Sequence, residues 1–210
     1  MRILVIGATG GTGREIVRQG LDHGHEITAF VRKPRRMPGP SASFHIVRGN
    51  VLDPASLDKA VRGQDAVVCA LGHKRWLGPS RILSIGTAHL VQAMRAHGVR
   101  RLVCETSLGV GNSFGRMGLY YTFFVVPIIL PFYFWDKHRQ ENVVRESELE
   151  WVIVRPGELT NGGVRGRLRA GSAVGNWLWT VRISRADVAG FMLKQIQEDT
   201  FLRQTPGVSW

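Results

Sequence analysis

One stretch, Gly7-Ala8-Thr9-Gly10-Gly11-Thr12-Gly13, constrains the fold more than any other, because of what stands on either side of it. Before it, Arg2 to Ile6 is a short apolar run that reads as a buried parallel strand. After it, Gly11 to His23 has the spacing of a helix. Strand, glycine turn, helix is the context in which backbone amides close on a pyrophosphate. Glycine lets the chain approach the phosphates, and the helix N-terminus offers its open N–H groups and partial positive charge. A dinucleotide site is therefore expected at the very start of the chain.

The rest of the sequence alternates in the same manner. Further strands are expected at His25–Val31, Phe44–Val47, Asp65–Leu71, Arg101–Thr106 and Trp151–Arg155. Helices are expected from Asp53-Pro54, over Pro79–His97 with a stop at Gly98, over Asp136–Ser147, and from Ser184 to Gln197. Asn161–Gly175, rich in glycine and arginine, reads as loop, and Thr200–Trp210 as a last edge strand. This is the pattern of βαβ units. It predicts one Rossmann-type α/β domain over residues 1–210, doubly wound, with a mainly parallel sheet and helices on both faces. No repeat or linker divides it.

The second strand ends in Val31-Arg32-Lys33-Pro34-Arg35-Arg36, with four cations and no acid. An NAD site carries an acid here for the ribose 2′-hydroxyl, whereas guanidinium groups grip a 2′-phosphate with paired hydrogen bonds. Arg32, nearest the strand end, and Arg36 are the candidates, and NADP(H) is the expected cofactor. The formal charge of +12 fits an anionic ligand. No nucleic-acid-reading motif accompanies it, so nucleic acid is not an expected partner. The seven histidines and two cysteines show no ligand spacing, and no metal site is expected.

Gly118–Trp135 holds no charge over 18 residues, the lower limit of a membrane span. Pro127 and Pro131 interrupt it, and α/β pattern follows it, so a buried helix pair or an apolar cap on the substrate side is expected instead. Contact with a membrane surface is left open. Met1 begins a strand rather than a basic and apolar leader, and Cys69 and Cys104 lie in strand patterns. A reducing, cytoplasmic setting follows as an expectation. Oligomeric state is not legible.

The strings GATGGTG, VRKP, GNVLDPASLDKAV, DAVVCALG, HGVRRLVCETS, RESELEWVIVRPGELT and ISRADVAGFML, in this order, resemble the atypical short-chain dehydrogenase/reductase superfamily. The nearest groups are the NmrA-like proteins and the biliverdin reductase B (flavin reductase) type. The resemblance covers most of the chain. It implies NADPH across the strand ends, with Gly7, Thr9, Gly10, Gly11, Thr12 and Gly13 around the pyrophosphate and Arg32 and Arg36 at the 2′-phosphate. Asn50 and Val51 would flank the adenine, and Leu71 and Gly72 the middle of the cofactor. Thr106, Ser107, Pro156 and Gly157 would lie near the nicotinamide.

Full enzymes of the superfamily use a serine after the fifth strand and a Tyr-x-x-x-Lys on the next helix. Ser107 and the pair Tyr133 and Lys137 match, and one helical turn puts the last two on one face. The implied function is an NADPH-dependent reductase giving hydride to a small planar, hydrophobic or aromatic acceptor. The alternative is a non-catalytic NADP(H)-binding regulator. Glu141, four residues after Lys137, reads as its i,i+4 ion partner, and His138 as a solvated helix residue.

Overall fold

The computed structural model describes residues 1–34, 37, 39, 41–72 and 78–210. Arg35 and Arg36 lie outside the described residues.

Apolar strands form the middle of the molecule because both of their faces are covered. In chain order the first half holds β1 (Arg2–Ile6), α1 (Gly11–Asp22), β2 (Glu26–Val31), β3 (Phe44–Arg48), α2 (Pro54–Val61), β4 (Ala66–Cys69) and α3 (Ile82–Ala96). The second half holds β5 (Arg101–Glu105), α4 (Pro131–Arg145), β6 (Glu150–Pro156), β7 (Glu158–Thr160), β8 (Arg169–Gly171), β9 (Arg182–Ser184), α5 (Arg185–Lys194) and β10 (Gly207–Ser209). Eight strands form one sheet in the order β3-β2-β1-β4-β5-β6-β10-β8. Every pairing is parallel except β10 with β8.

Period-2 alternation sorts β1 between two cores. Ile3 and Val5 join Ile16, Val17, Val188 and Met192 on the side of α1 and α5. Leu4 and Ile6 join Leu57, Leu90, Met94 and Val144 on the side of α2, α3 and α4. The doubly wound Rossmann architecture expected from the sequence is therefore present. β4 ends at a cysteine that lies opposite another, with Cys69 and Cys104 as register partners and both thiols free and buried.

Four local expectations need correction. The tail does add a strand, but β10 is not an edge: it lies between β6 and β8. β8 itself falls inside the stretch read as loop. β7 and β9, three residues each, form a separate parallel pair. The helix expected at Asp136 begins five residues earlier, because Pro131 occupies its first turn, where a missing N–H costs nothing.

In place of a helix pair, Tyr121–Ile129 winds as a π-helix containing Pro127. Proline supplies no amide and crowds the previous turn, and the wider winding accommodates it. Leu130 N–H accordingly donates to Val125 O at 2.9 Å. Among the described residues, no helix is long and apolar enough to cross a membrane.

Candidate functional site

The turn after β1 is shaped by close approach. Gly7 has φ +84°, and a Cβ built on it would lie 2.3 Å from the carbonyl oxygen of Ala70 at the end of β4. Gly10 N–H donates to Gly7 O at 2.9 Å, which closes the turn. A Cβ on Gly13 would lie 2.1 Å from Gly7 O, so the helix packs directly on the turn. No side chain caps α1, and no acid stands in its first turn. Among the described residues, the amides of Gly11, Thr12 and Gly13 donate to no carbonyl. Open donors at a helix N-terminus, facing a cleft, suit an anion.

That cleft encloses about 760 Å³ along the carboxyl ends of the parallel strands. Gly7, Thr9, Gly10, Gly11 and Thr12 line one part of it, and Phe30, Arg32, Asn50 and Val51 another. Leu71, Gly72, Glu105, Thr106, Tyr133 and Lys137 line the opposite part. The glycine turn, β2 end, β4 end and α4 thus meet in one cavity. Val51 is fixed there by α3, since a Cβ on Gly86 would come within 2.7 Å of its side chain.

Lys137 is nearly fully buried, and its Nζ donates to Leu71 O at 3.0 Å and Glu105 O at 2.9 Å. Burial pushes the ammonium pKa down, but Tyr133, Cys104 and Glu105 outweigh it, and the group ends above the ordinary lysine value. Its Nζ lies 5.7 Å from the centre of the Tyr133 ring. The Tyr133 hydroxyl lies 3.7 Å from where a Cβ on Gly72 would stand. Both side chains face the cleft, as one helical turn requires.

Other expected residues are placed differently. Ser107 is not among the residues lining the cleft, and its hydroxyl donates to Leu108 O at 3.0 Å. Pro156 and Gly157 also stand outside the lining. They are buried where β6 passes into β7, and a Cβ on Gly157 would meet Val181 O at 2.5 Å. Gly13 supports the turn from behind. Of Gly118–Trp135, only Tyr133 lines the cleft. His138 is exposed on α4.

Glu141 is not the ion partner of Lys137. It is buried against Arg155 of β6, with Nε to Oε1 at 2.8 Å and Nη2 to Oε2 at 2.6 Å. It also accepts the Thr106 hydroxyl at 2.8 Å. Lys137, one turn earlier on α4, donates instead to the carbonyls of Leu71 and Glu105, which leaves the carboxylate for the guanidinium.

Two charged cleft residues are not singled out by the sequence. Glu105 is buried at the end of β5 and accepts the Thr12 hydroxyl at 3.0 Å. Burial raises its pKa above the usual carboxylate range, against the pull of Lys137 and Thr12. Arg185 opens α5 and lies over the α1 N-terminus. A Cβ on Gly11 would stand 2.4 Å from its Cδ, and its Nη1 donates to Asn161 Oδ1 at 2.7 Å. The string ISRADV carried that signal, since Ser184 and Asp187 mark a helix start with an arginine just inside it.

Comparison with known proteins agrees with this geometry. A model of the NAD(P)H-binding family matches residues 7–199. An uncharacterized chloroplastic protein of Arabidopsis thaliana is 32% identical over 173 residues, which is 76% of this chain and 60% of that one. The (4-alkanoyl-5-oxo-2,5-dihydrofuran-3-yl)methyl phosphate reductase of Streptomyces griseus is 30% identical over 154 residues, 73% of this chain and 46% of the reductase. The chain thus spans about half of these relatives' length. A wide-type short-chain dehydrogenase/reductase of Veillonella parvula, solved in complex with NADP, superposes with a TM-score of 0.83 at 20% identity. That alignment covers 100% of this chain and 94% of the neighbour, and at this identity it shows the fold. From the glycine turn, the strand-end cleft and the family match, the chain belongs to the NAD(P)H-binding family.

Proposed function

We propose that this protein is an NADPH-dependent reductase that passes hydride to a planar hydrophobic or aromatic acceptor. Flavins, quinones, tetrapyrroles and carbonyl compounds are the chemical range. The observation that carries the reading is the convergence in one cleft of three groups: the uncapped α1 N-terminus, Arg32 at an acid-free strand end, and the pair Tyr133 and Lys137. Named reductases among the relatives support it.

The residues divide the work by position. The amides of Gly11 and Thr12 hold the pyrophosphate, with Arg185 beside them as a further cation. Arg32 meets the adenosine 2′-phosphate, and Asn50 and Val51 hold the adenine edge. Lys137 commits two donors to the carbonyls of Leu71 and Glu105 and has a third for a ribose hydroxyl. Reduced nicotinamide, when bound, supplies the hydride. The Tyr133 hydroxyl gives a proton to a carbonyl oxygen of the acceptor. In this reading Ser107 helps only after it leaves Leu108 O, and Pro156 and Gly157 shape the cleft from behind.

A second reading, an NADP(H)-binding regulator without turnover, is favoured by one observation, the engagement of Ser107 with its own loop. One experiment separates the two. NADPH oxidation is followed with flavins, quinones, biliverdin and simple carbonyls. Turnover with one class supports the reductase. NADPH binding without turnover of any class supports the regulator.

A further inference from the structure

The large apolar side chains between Leu119 and Trp135 mostly turn away from the cleft and into solvent. Tyr120, Phe123, Phe124 and Ile128 are all more than half exposed, Ile128 at 69%. A second segment is built against this one. Met117 and Asn176 form a parallel bridge, in which Gly118 N–H donates to Asn176 O at 2.8 Å and Asn176 N–H to Arg116 O at 2.9 Å. The chain then turns through Trp177, Leu178 and Trp179, with the amides of the last two donating to Asn176 Oδ1 at 2.7 and 3.0 Å.

This turn is held rather than loose. A Cβ on Gly115 would come within 2.9 Å of the Trp177 ring, and one on Gly118 within 2.7 Å of the Trp179 carbonyl carbon. Yet the three side chains of the turn stay exposed, Trp179 at 74%. Monomeric soluble proteins rarely fix this much apolar surface toward water without a use for it.

Charge selects the occupant. Residues 106–135 contain Arg116 and no acid, and residues 159–184 contain Arg165, Arg167, Arg169 and Arg182 and no acid. The Arg139 guanidinium lies 3.9 Å over the Trp135 ring. Glu158, the acid beside this face, is covered by Arg182 at 2.7 Å. A second copy docked here about a twofold axis would set arginines against arginines with no carboxylate to answer them. An anionic bilayer answers them with phosphates, takes Phe and Ile below the headgroups and keeps Trp and Tyr at their level.

We propose that the π-helix Tyr121–Ile129 and the turn Trp177–Trp179 form a peripheral docking face for membranes rich in anionic lipid. With nine residues, the π-helix is far too short to cross a hydrocarbon core of about 30 Å, so it lies in the interface.

Vesicle flotation tests this, with phosphatidylcholine alone and with phosphatidylcholine mixed with phosphatidylglycerol. The protein is expected to float with the mixed vesicles, to remain behind with phosphatidylcholine alone, and to be released by high salt. The triple variant Trp177→Ser, Leu178→Ser, Trp179→Ser and the separate pair Phe124→Ser, Ile128→Ser should each lose about tenfold or more of the bound fraction. Circular dichroism and the urea midpoint report whether each variant folds, and either set alone suffices. No flotation of the native protein, equal flotation with both lipids, or undiminished flotation of a folded variant overturns the proposal. So does a native dimer by light scattering that these variants convert to monomer.

Discussion

Arg155 at the end of β6 grips Glu141 of α4 through two parallel hydrogen bonds, and both side chains are 2% exposed. This pair fixes α4 to the sheet one turn beyond Lys137. Thr106 joins it from just beyond β5 and Asn112 from the short turn Gly111–Ser113. The lysine that faces the cleft is thus positioned by a buried ion pair behind it.

Breaking that pair should be expensive. Arg155→Ala takes the two-point partner from a buried carboxylate, leaving it the Thr106 hydroxyl and the more exposed Arg145 at 3.3 Å, and is expected to cost about 3–5 kcal/mol of unfolding free energy. Replacing both partners, as in Glu141→Leu with Arg155→Met, should recover much of the loss, because the desolvation of two charges disappears with them. Urea unfolding of both proteins checks this. A single variant within about 1 kcal/mol of the native protein would show that the pair does not anchor α4.

Two buried carboxyls should give opposite pH dependence. Glu105 has its folded pKa raised above the ordinary value of 4.5 by burial. Its contribution is fully present below that value and is lost as pH rises through the folded pKa. Glu105→Gln should flatten this loss on the alkaline side. For Asp187, burial pushes the carboxyl pKa up, but hydrogen bonds from Trp210, Ser184 and the amides of Arg165 and Gly166 outweigh it. The result lies below 3.8. Its contribution is present above that value and is lost as pH falls through the folded pKa. Asp187→Asn should therefore flatten the acid limb. Unfolding midpoints taken from below pH 3.8 up to neutrality decide both signs.

Tyr133 and Lys137 should fail in different ways. Tyr133→Phe is expected to cut turnover of a carbonyl acceptor by about 10²–10⁴-fold while NADPH binding barely changes. Lys137→Ala should weaken NADPH binding itself, since it removes the donor placed between Leu71 O and Glu105 O. Turnover that survives Tyr133→Phe assigns the proton to water or to another group. Steady-state kinetics beside a binding titration separates the two effects.

What the sequence made legible was local. The glycine turn, its flanking strand and helix, and the missing acid after Val31 are readable because each signal sits within a few residues of its consequence. The same holds for Tyr133 and Lys137, one turn apart. What was missed depends on distant parts of the chain. Arg185 reaches Gly11 only because α5 packs on α1. Glu141 looked like a neighbour of Lys137, but β6 brings Arg155 to it. β8, three residues ending in glycine, has too little pattern to be read before its partner is known, and the tail strand β10 looks like an edge only because β8 beside it is not legible. Pro131 reads in the sequence as an interruption, whereas its place at a helix start makes it a beginning.

The central claim, that this cleft takes NADPH through Arg32, is tested most directly by calorimetric titration of NADPH and NADH into the native protein and into Arg32→Ala. NADPH should bind the native protein more tightly than NADH. The substitution should cost about 1–3 kcal/mol toward NADPH, the scale of hydrogen bonds to a charged group, and little toward NADH. Equal affinities, a preference for NADH, or an unchanged preference after Arg32→Ala would contradict the account.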